Sequence, residues 1–138
     1  MSVEANVQLV RRYIEEAANG GNLAVADATH APTYRYHAPS RPEELRSRED
    51  LRRQITRIRA EYPDLRFTIE DLFGADDKVV ERYTLTGTHA TKGKAITITG
   101  VNIFRIADGQ VVEYWGHADN LTMGRQLGDI PPAAPTNP

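Results

Sequence analysis

The hydrophobic positions of this chain change period once, and the change falls at Pro63. Before it, apolar residues recur at steps of three and four. Val3, Val7, Val10, Ile14 and Ala17 or Ala18 form one such stripe, the mark of a helix with a single buried face. Asn19-Gly20-Gly21 ends it with residues that tolerate left-handed backbone. Residues 23–29 predict a second, short helix. Ser47-Arg48-Glu49-Asp50 has the form of a capping box. Leu51, Ile55 and Ile58 then give a third helix its buried face, which Pro63 closes just after Tyr62.

After Pro63 the period is two. Residues 65–72, 78–90, 94–107 and 110–119 read as strands rich in Val, Ile, Tyr and Thr. Lys92-Gly93 supplies one turn, and Asp108-Gly109 is a strong hairpin signal. Pro32 and Pro39 bracket an extended segment, a short edge strand or ordered loop carrying Tyr34, Tyr36 and His37. Residues 41–45 read as a polar loop and residues 121–127 as a short helical or irregular end. Helices first and an antiparallel meander second make an α+β layout, with helices covering one face of a curved sheet. A single domain is expected over residues 1–130, with a proline-rich tail over 131–138.

Composition narrows the function. The chain has 138 residues, 40% hydrophobic and 26% charged, which suits one ordinary globular domain. A net charge of −2 argues against a nucleic-acid partner. The absence of cysteine removes disulfides, thiolate nucleophiles and cysteine-based zinc sites. Met1-Ser2-Val3-Glu4 lacks a basic region followed by an apolar run, so the expectation is a cytoplasmic protein without a secretory leader. No stretch approaches the roughly 20 apolar residues of a membrane span, so no membrane partner is expected. There is no glycine-rich nucleotide loop and no serine-hydrolase elbow, and no cofactor is expected. His37, His89, His117 and Asp119 show no metal-ligand spacing, and no metal site is expected either. The arginines at 46, 48, 52, 53, 57 and 59, interleaved with Glu49, Asp50 and Glu61, read as the solvated side of the third helix.

The candidate chemistry lies at the end of the last strand. In Tyr114-Trp115-Gly116-His117-Ala118-Asp119, alternation puts Trp115, His117 and Asp119 on one face. An aromatic, an imidazole and a carboxylate together can bind an apolar molecule and move a proton on it. An indole packed in a core, with two polar groups at a wet strand end, accounts for the same pattern. In the preceding strand, Ile98, Gly100, Asn102, Phe104 and Ile106 share a face. A buried Asn102 needs partners, which a ligand or a neighbouring carboxylate can supply, or a satisfied core. Gly100 predicts a bulge or bend that rolls the sheet around a cavity. Tyr83 is placed to line that cavity, and His89 to face solvent. Tyr34, Tyr36 and His37 form either a lid over the pocket or a loop packed on the helices.

Several pieces recur in an order and spacing that identify a family. They are Val10-Arg11-Arg12-Tyr13 with Asn19-Gly20-Gly21, the segment Tyr34 to His37, Tyr62-Pro63-Asp64-Leu65 and Tyr83-Thr84-Leu85-Thr86-Gly87-Thr88-His89. Phe104-Arg105-Ile106, Asp108-Gly109, Trp115 to Asp119 and Gln126-Leu127-Gly128-Asp129 follow. Over residues 5–132 the chain resembles the SnoaL-like polyketide cyclases of the nuclear-transport-factor-2-like superfamily. The resemblance implies an α+β cone with an apolar pocket at its mouth and a homodimer paired through the sheet. It implies that Asp119 is the acid/base, with Asn102 lining the pocket where a cyclase can have histidine, and His37 corresponding loosely to the polar residue of the early loop.

The chemistry expected of such a site is an intramolecular aldol closure or an isomerisation of a hydrophobic carbonyl compound. A base removes a proton α to a carbonyl, and no cofactor is needed. Burial beside Trp115 is expected to raise the pKa of Asp119. His117, His37 and Asn102 would hydrogen-bond the enolate oxygen or hold the base. Tyr36, Tyr83 and Phe104 would shape the pocket with Trp115. Two alternatives remain at this point: a non-catalytic ligand-binding or dimerising module of the same fold, and an epoxide hydrolase.

Overall fold

The computed structural model describes residues 2–133, so most of the proline-rich tail expected at 131–138 lies outside the described residues. Helix α1 (Val3–Arg12) starts at Ser2, whose side chain accepts a hydrogen bond from the Ala5 N–H at 3.0 Å. It runs on without a break into a π-helical segment, Tyr13–Asn19. Asn19 fixes the end of that segment to the sheet. Its side-chain amide donates to the Phe67 carbonyl (2.9 Å) and its carbonyl accepts from the Phe67 N–H (2.7 Å). Helix α2 (Leu23–Thr29) leads directly into strand β1 (His30–His37). Strand β2 (Glu44–Ser47) occupies part of the expected polar loop, and Ser47 caps α3 (Arg48–Glu61). The capping box is present in full: the Asp50 N–H donates to Ser47 Oγ, and the Ser47 N–H donates back to Asp50 Oδ2.

Four strands follow: β3 (Arg66–Ala75), β4 (Lys78–Thr88), β5 (Ala95–Ala107) and β6 (Gln110–Ala118), then helix α4 (Asn120–Leu127). The six strands lie in the order β2-β1-β6-β5-β4-β3. All neighbours are antiparallel except β1 and β6. The segment expected at an edge, β1, is therefore an interior strand, and the short β2 covers it. The helices pack in the concave face of the curved sheet through three clusters. One gathers Val10, Ile14, Val79, Phe104, Ile106 and Val111, a second Tyr62, Leu65, Leu85, Ile96 and Ile98, and a third Ala17, Val25, Tyr34, Leu51 and Ile55.

The faces of the sheet are decided by a bulge in β6. Ile106 pairs with Val111, but Arg105 pairs with Glu113, which leaves Val112 as an extra residue. Val111 and Ile106 both point into the core. Strict alternation from Val111 would send Glu113, Trp115 and His117 inward as well. The extra residue inverts the strand beyond it, so Tyr114, Gly116 and Ala118 face inward. The inner face then reads in cross-strand rows: Val79–Phe104–Tyr114, Glu81–Asn102–Gly116 and Tyr83–Gly100–Ala118. The outer face carries Val80–Ile103–Trp115 and Arg82–Val101–His117. Deleting Val112 should force Trp115 and Glu113 into the core and abolish cooperative folding. Thermal melting followed by circular dichroism checks this, and a deletion variant that melts like the parent would refute the parity argument.

Candidate active site

A cavity of about 310 Å³ opens between the inner face of the sheet and the helices. Its apolar wall comes from Ile14, Ile55, Ile58, Phe67, Leu85 and Ile98. Its polar groups are Glu81, Asn102, Gln54 and the phenols of Tyr13, Tyr36, Tyr83 and Tyr114, with Glu61, Tyr62, Asn120 and Met123 at the rim. Among the described residues no lysine, arginine or histidine lines it, so an anionic ligand would meet no counter-charge from them.

Glu81 is the dominant group. It is 1% exposed, at the centre of β4. Oε1 accepts a hydrogen bond from Asn102 Nδ2 at 2.9 Å. Oε2 is buried and has no partner among the described residues. Burial pushes this carboxyl from its ordinary 4.5 up to about 7, against the opposing effect of the Asn102 bond, which favours the charged form. Such a group is divided between acid and base near neutral pH, the condition for general acid–base work.

The phenols respond to the same environment. Burial raises the Tyr83 hydroxyl to about 12, with the Glu81 charge adding to the shift. Burial also raises Tyr13 and, further, Tyr114. All three therefore stay protonated and available as donors. Tyr36 is held between Arg46, whose guanidinium carbon lies 3.8 Å from its ring centre, and Tyr114 at 4.9 Å. Phe104 lies behind the cavity wall rather than on it: it is 2% exposed and stacks on Tyr114 at 5.1 Å. Gly100 introduces no register shift in β5, contrary to the bend expected there. Its missing side chain makes room for the Tyr83 hydroxyl, into which a Cβ would collide.

Asp119 is elsewhere. The carboxylate expected to be buried beside Trp115 is exposed and caps α4, accepting from Thr122 N (3.1 Å) and Thr122 Oγ1 (2.7 Å). Those bonds hold its pKa below the usual aspartate value, the reverse of the expected shift. His117 is exposed on the outer face. Trp115 and His37 are outside too, stacked on one another at 5.0 Å with an interplanar angle of 7°. The shared face of Trp115 and His117 was legible, but the Val112 bulge makes it the convex side. Of the residues expected at the site, Asn102, Tyr36 and Tyr83 meet at the cavity; Asp119, His117, His37, Trp115 and Phe104 do not line it. The residue that sequence reasoning missed is Glu81. A signal existed, since its inward neighbours Val79, Tyr83 and Leu85 alternate with it, and an acidic residue in that series is out of place.

His37 belongs to a separate cluster on the outer face. Its Nε2 lies 2.7 Å from Glu113 Oε2 and 3.8 Å from Glu43 Oε1. These three residues bring ligand-type atoms within 4.8 Å of one another. Arg105 pairs with Glu113 at 3.0 Å and Arg35 with Glu43 at 3.6 Å, so both carboxylates already have a cation beside them. A wider, open groove of about 880 Å³ runs along β2 and α3. Arg52 pairs there with Asp27 at 2.6 Å and Arg53 with Glu49 at 2.8 Å, as on a solvated helix face; Arg46, Arg48 and Arg59, expected on the same face, instead reach the Tyr36 ring, the His30 carbonyl and the Ala18 carbonyl.

The fold has counterparts among solved structures. TsrD from Streptomyces laurentii is 28% identical, with 94% of this chain and 99% of that one covered and a TM-score of 0.82. IdmH from Streptomyces antibioticus, a candidate polyketide cyclase, is 29% identical over 89% of this chain and 98% of its own, with a TM-score of 0.79. AclR from Streptomyces galilaeus, a candidate hydroxylase, has a TM-score of 0.82 over 96% of this chain and 87% of its own, but at 21% identity that likeness shows the fold alone. No curated protein sequence matches this chain. No helix among the described residues is long and apolar enough to cross a membrane. The model of the SnoaL-like polyketide cyclases matches residues 8–127, and the chain belongs to that family.

Proposed function

We propose that this chain is a cofactor-independent enzyme that moves a proton on the carbon α to a carbonyl of an apolar compound, with Glu81 as the acid/base. The observation that supports it is the Glu81 carboxyl: buried, bonded to Asn102 through one oxygen, and free at the other. In the base step the C–H bond breaks and its proton goes to Glu81 Oε2. The electron pair moves through the forming C=C bond onto the carbonyl oxygen. The resulting enolate attacks a second carbonyl in an aldol closure, whose new alkoxide oxygen takes the proton back from Glu81, or the enolate takes that proton back at another carbon in an isomerisation. Asn102 is the positioning residue for the carboxylate, and the aromatic wall holds the substrate against it.

An epoxide hydrolase needs a carboxylate pair and polar groups that hold a water. Among the described residues Glu81 is the one carboxylate deep in this cavity, with Glu61 at the exposed rim. The chemistry of the site therefore favours proton transfer over hydrolysis. A non-catalytic carrier would need the apolar wall and Tyr36, but it has no use for a buried carboxyl with an unpartnered oxygen, which costs free energy to keep.

We also propose that two copies pair through the convex face of the sheet, in a cytoplasmic enzyme. Phe73, Val80, Ile103 and Trp115 form one apolar row across four strands of that face, and Phe73 is 56% exposed. Val101, 36% exposed, extends it. A two-fold axis through the row would set each copy's apolar band on the other. The ion pairs Arg82–Asp71 and Arg105–Glu113 flank it and can re-pair across such an axis. Ile103→Lys places a charge at the centre of the row and should give a monomer in analytical ultracentrifugation. A parent protein that is itself monomeric at micromolar concentration would refute the pairing.

Glu81→Gln should slow deuterium exchange at the α-carbon of a neutral β-keto ester by about 10²-fold or more, measured by NMR. In the parent, the exchange rate should rise with pH through an apparent pKa of about 7, the value to which burial raises Glu81. Stability gives an independent reading. Glu81 binds its proton more tightly folded than unfolded, so its contribution is fully present below pH 4.5 and is lost as pH rises through about 7. The stability of Glu81→Gln relative to the parent should therefore grow by up to about 3 kcal/mol over that interval and then level off. Urea denaturation across the pH range measures it, and a constant difference would show that the carboxyl is not perturbed.

A further inference from the structure

Two glycines on the inner face shape the cavity around Glu81. Gly100 and Gly116 lie on adjacent strands, two residues apart in register, and Asn102 stands beside both: it pairs with Gly116 across the strands and is two residues from Gly100 along its own. Each glycine is covered by a phenol. A Cβ on Gly100 would strike the Tyr83 hydroxyl, and one on Gly116 would lie 2.9 Å from the Tyr114 hydroxyl and 3.4 Å from Asn102 Oδ1. The Tyr83 ring thus crosses from β4 onto β5, and the Tyr114 ring folds forward along β6. The Tyr83 hydroxyl therefore lies over Gly100, two residues along β5 from Asn102, and the Tyr114 hydroxyl over Gly116, the cross-strand partner of Asn102, which is bonded to Glu81. Tyr83 is wedged from its other side by Phe67, at 5.3 Å, and Tyr114 by Phe104 and Tyr36. These packings fix the rings without using the hydroxyls.

We infer that the hydroxyls of Tyr83 and Tyr114, laid over Gly100 and Gly116, are the paired donors that hold the substrate's carbonyl oxygen while Glu81 removes the neighbouring proton. The inference rests on the reading of Glu81 as the base. Negative charge leaves the carboxylate and appears on the carbonyl oxygen in the same step, so donors fixed beside the carboxylate meet the charge where it develops, in a site poor in water. Both phenols line the cavity, within reach of a ligand. The two glycines act as specificity positions. Any side chain there would lift the phenols off the sheet and fill the space where the oxygen sits. His117, His37 and Asn102 are the donors that the sequence suggests for this oxygen, but the two histidines are on the other side of the sheet.

A naphthol tests this without knowledge of the true substrate. Its O–H proton passes to Glu81, the naphtholate oxygen stands in for the enolate oxygen, and absorbance separates the two forms. At neutral pH the parent should bind it partly as naphtholate, and Glu81→Gln only as naphthol. Tyr83→Phe and Tyr114→Phe should each lower the bound naphtholate-to-naphthol ratio about tenfold to a hundredfold. Each should still bind naphthalene, which has no oxygen for the phenols to hold, as tightly as the parent. Gly116→Ala keeps every hydroxyl yet displaces that of Tyr114, and should act like Tyr114→Phe. If both Phe variants keep the parental ratio, the phenol assignment is overturned while the Glu81 reading stands. A Phe variant that also loses naphthalene overturns it too, because the phenol would then act through shape. If the parent binds no naphtholate, both readings fall together.

Discussion

A carboxyl group held out of water loses the solvation of its charged form, and the inner face of this sheet is arranged around that loss at Glu81. The group sits in the middle of β4, where three hydrophobic clusters meet the cavity, and its single hydrogen bond comes from Asn102 on the next strand. A second bond to Oε2 would return it to an ordinary carboxylate. Complete enclosure would keep it protonated at every physiological pH. The intermediate condition, one oxygen bonded and one free beside a cavity, places its titration near neutrality. Its surroundings follow from that choice. The groups nearest to it are neutral phenols and an amide, which can donate to a charge but do not add one.

The cavity depends equally on what is missing. Gly100, Gly116 and Ala118 leave the inner face of β5 and β6 almost bare opposite the helices, and the phenols of Tyr83 and Tyr114 lie across the gap. Large inward residues continue on either side: Val79, Phe104 and Ile106 at one end, Leu85, Ile96 and Ile98 at the other. The sheet thus packs tightly at both ends and opens in the middle. Asn19, tying the π-helical segment to β3, and the pair of bonds between Gln126 and the Thr97 backbone, tying α4 to β5 (2.8 and 2.9 Å), fix the elements that border the opening.

Membership of a family gives the architecture more securely than it gives the roles of residues. The acidic position that resemblance points to, Asp119, is in this chain the cap of a terminal helix, where two bonds from Thr122 satisfy it. Those two bonds account for its lowered pKa. The acid that meets the cavity comes from a different strand. Among relatives with this fold, a candidate cyclase and a candidate hydroxylase occur side by side, so the site has to be read from its own groups.

Much of the architecture was legible in the sequence because it depends on near neighbours. The stripe of Val10 and Ile14, the capping box at Ser47, the stop at Pro63 and the hairpin at Asp108-Gly109 are local events, and local chemistry decided them. The pairing of Trp115 with His117 on one face was equally local. Which face they share was not. It turns on Val112, a residue of no distinctive chemistry, which stands as the extra residue in the β5–β6 ladder. In the same way, the acidity of Glu81 came from enclosure and from Asn102, 21 residues away in the chain, whereas that of Asp119 was set locally by Thr122, three residues on. By itself the sequence determined the elements, their order and the family. Only the tertiary structure decided which side of the sheet is inside, and therefore which carboxylate is removed from water, because burial belongs to the packed molecule and not to any segment of it.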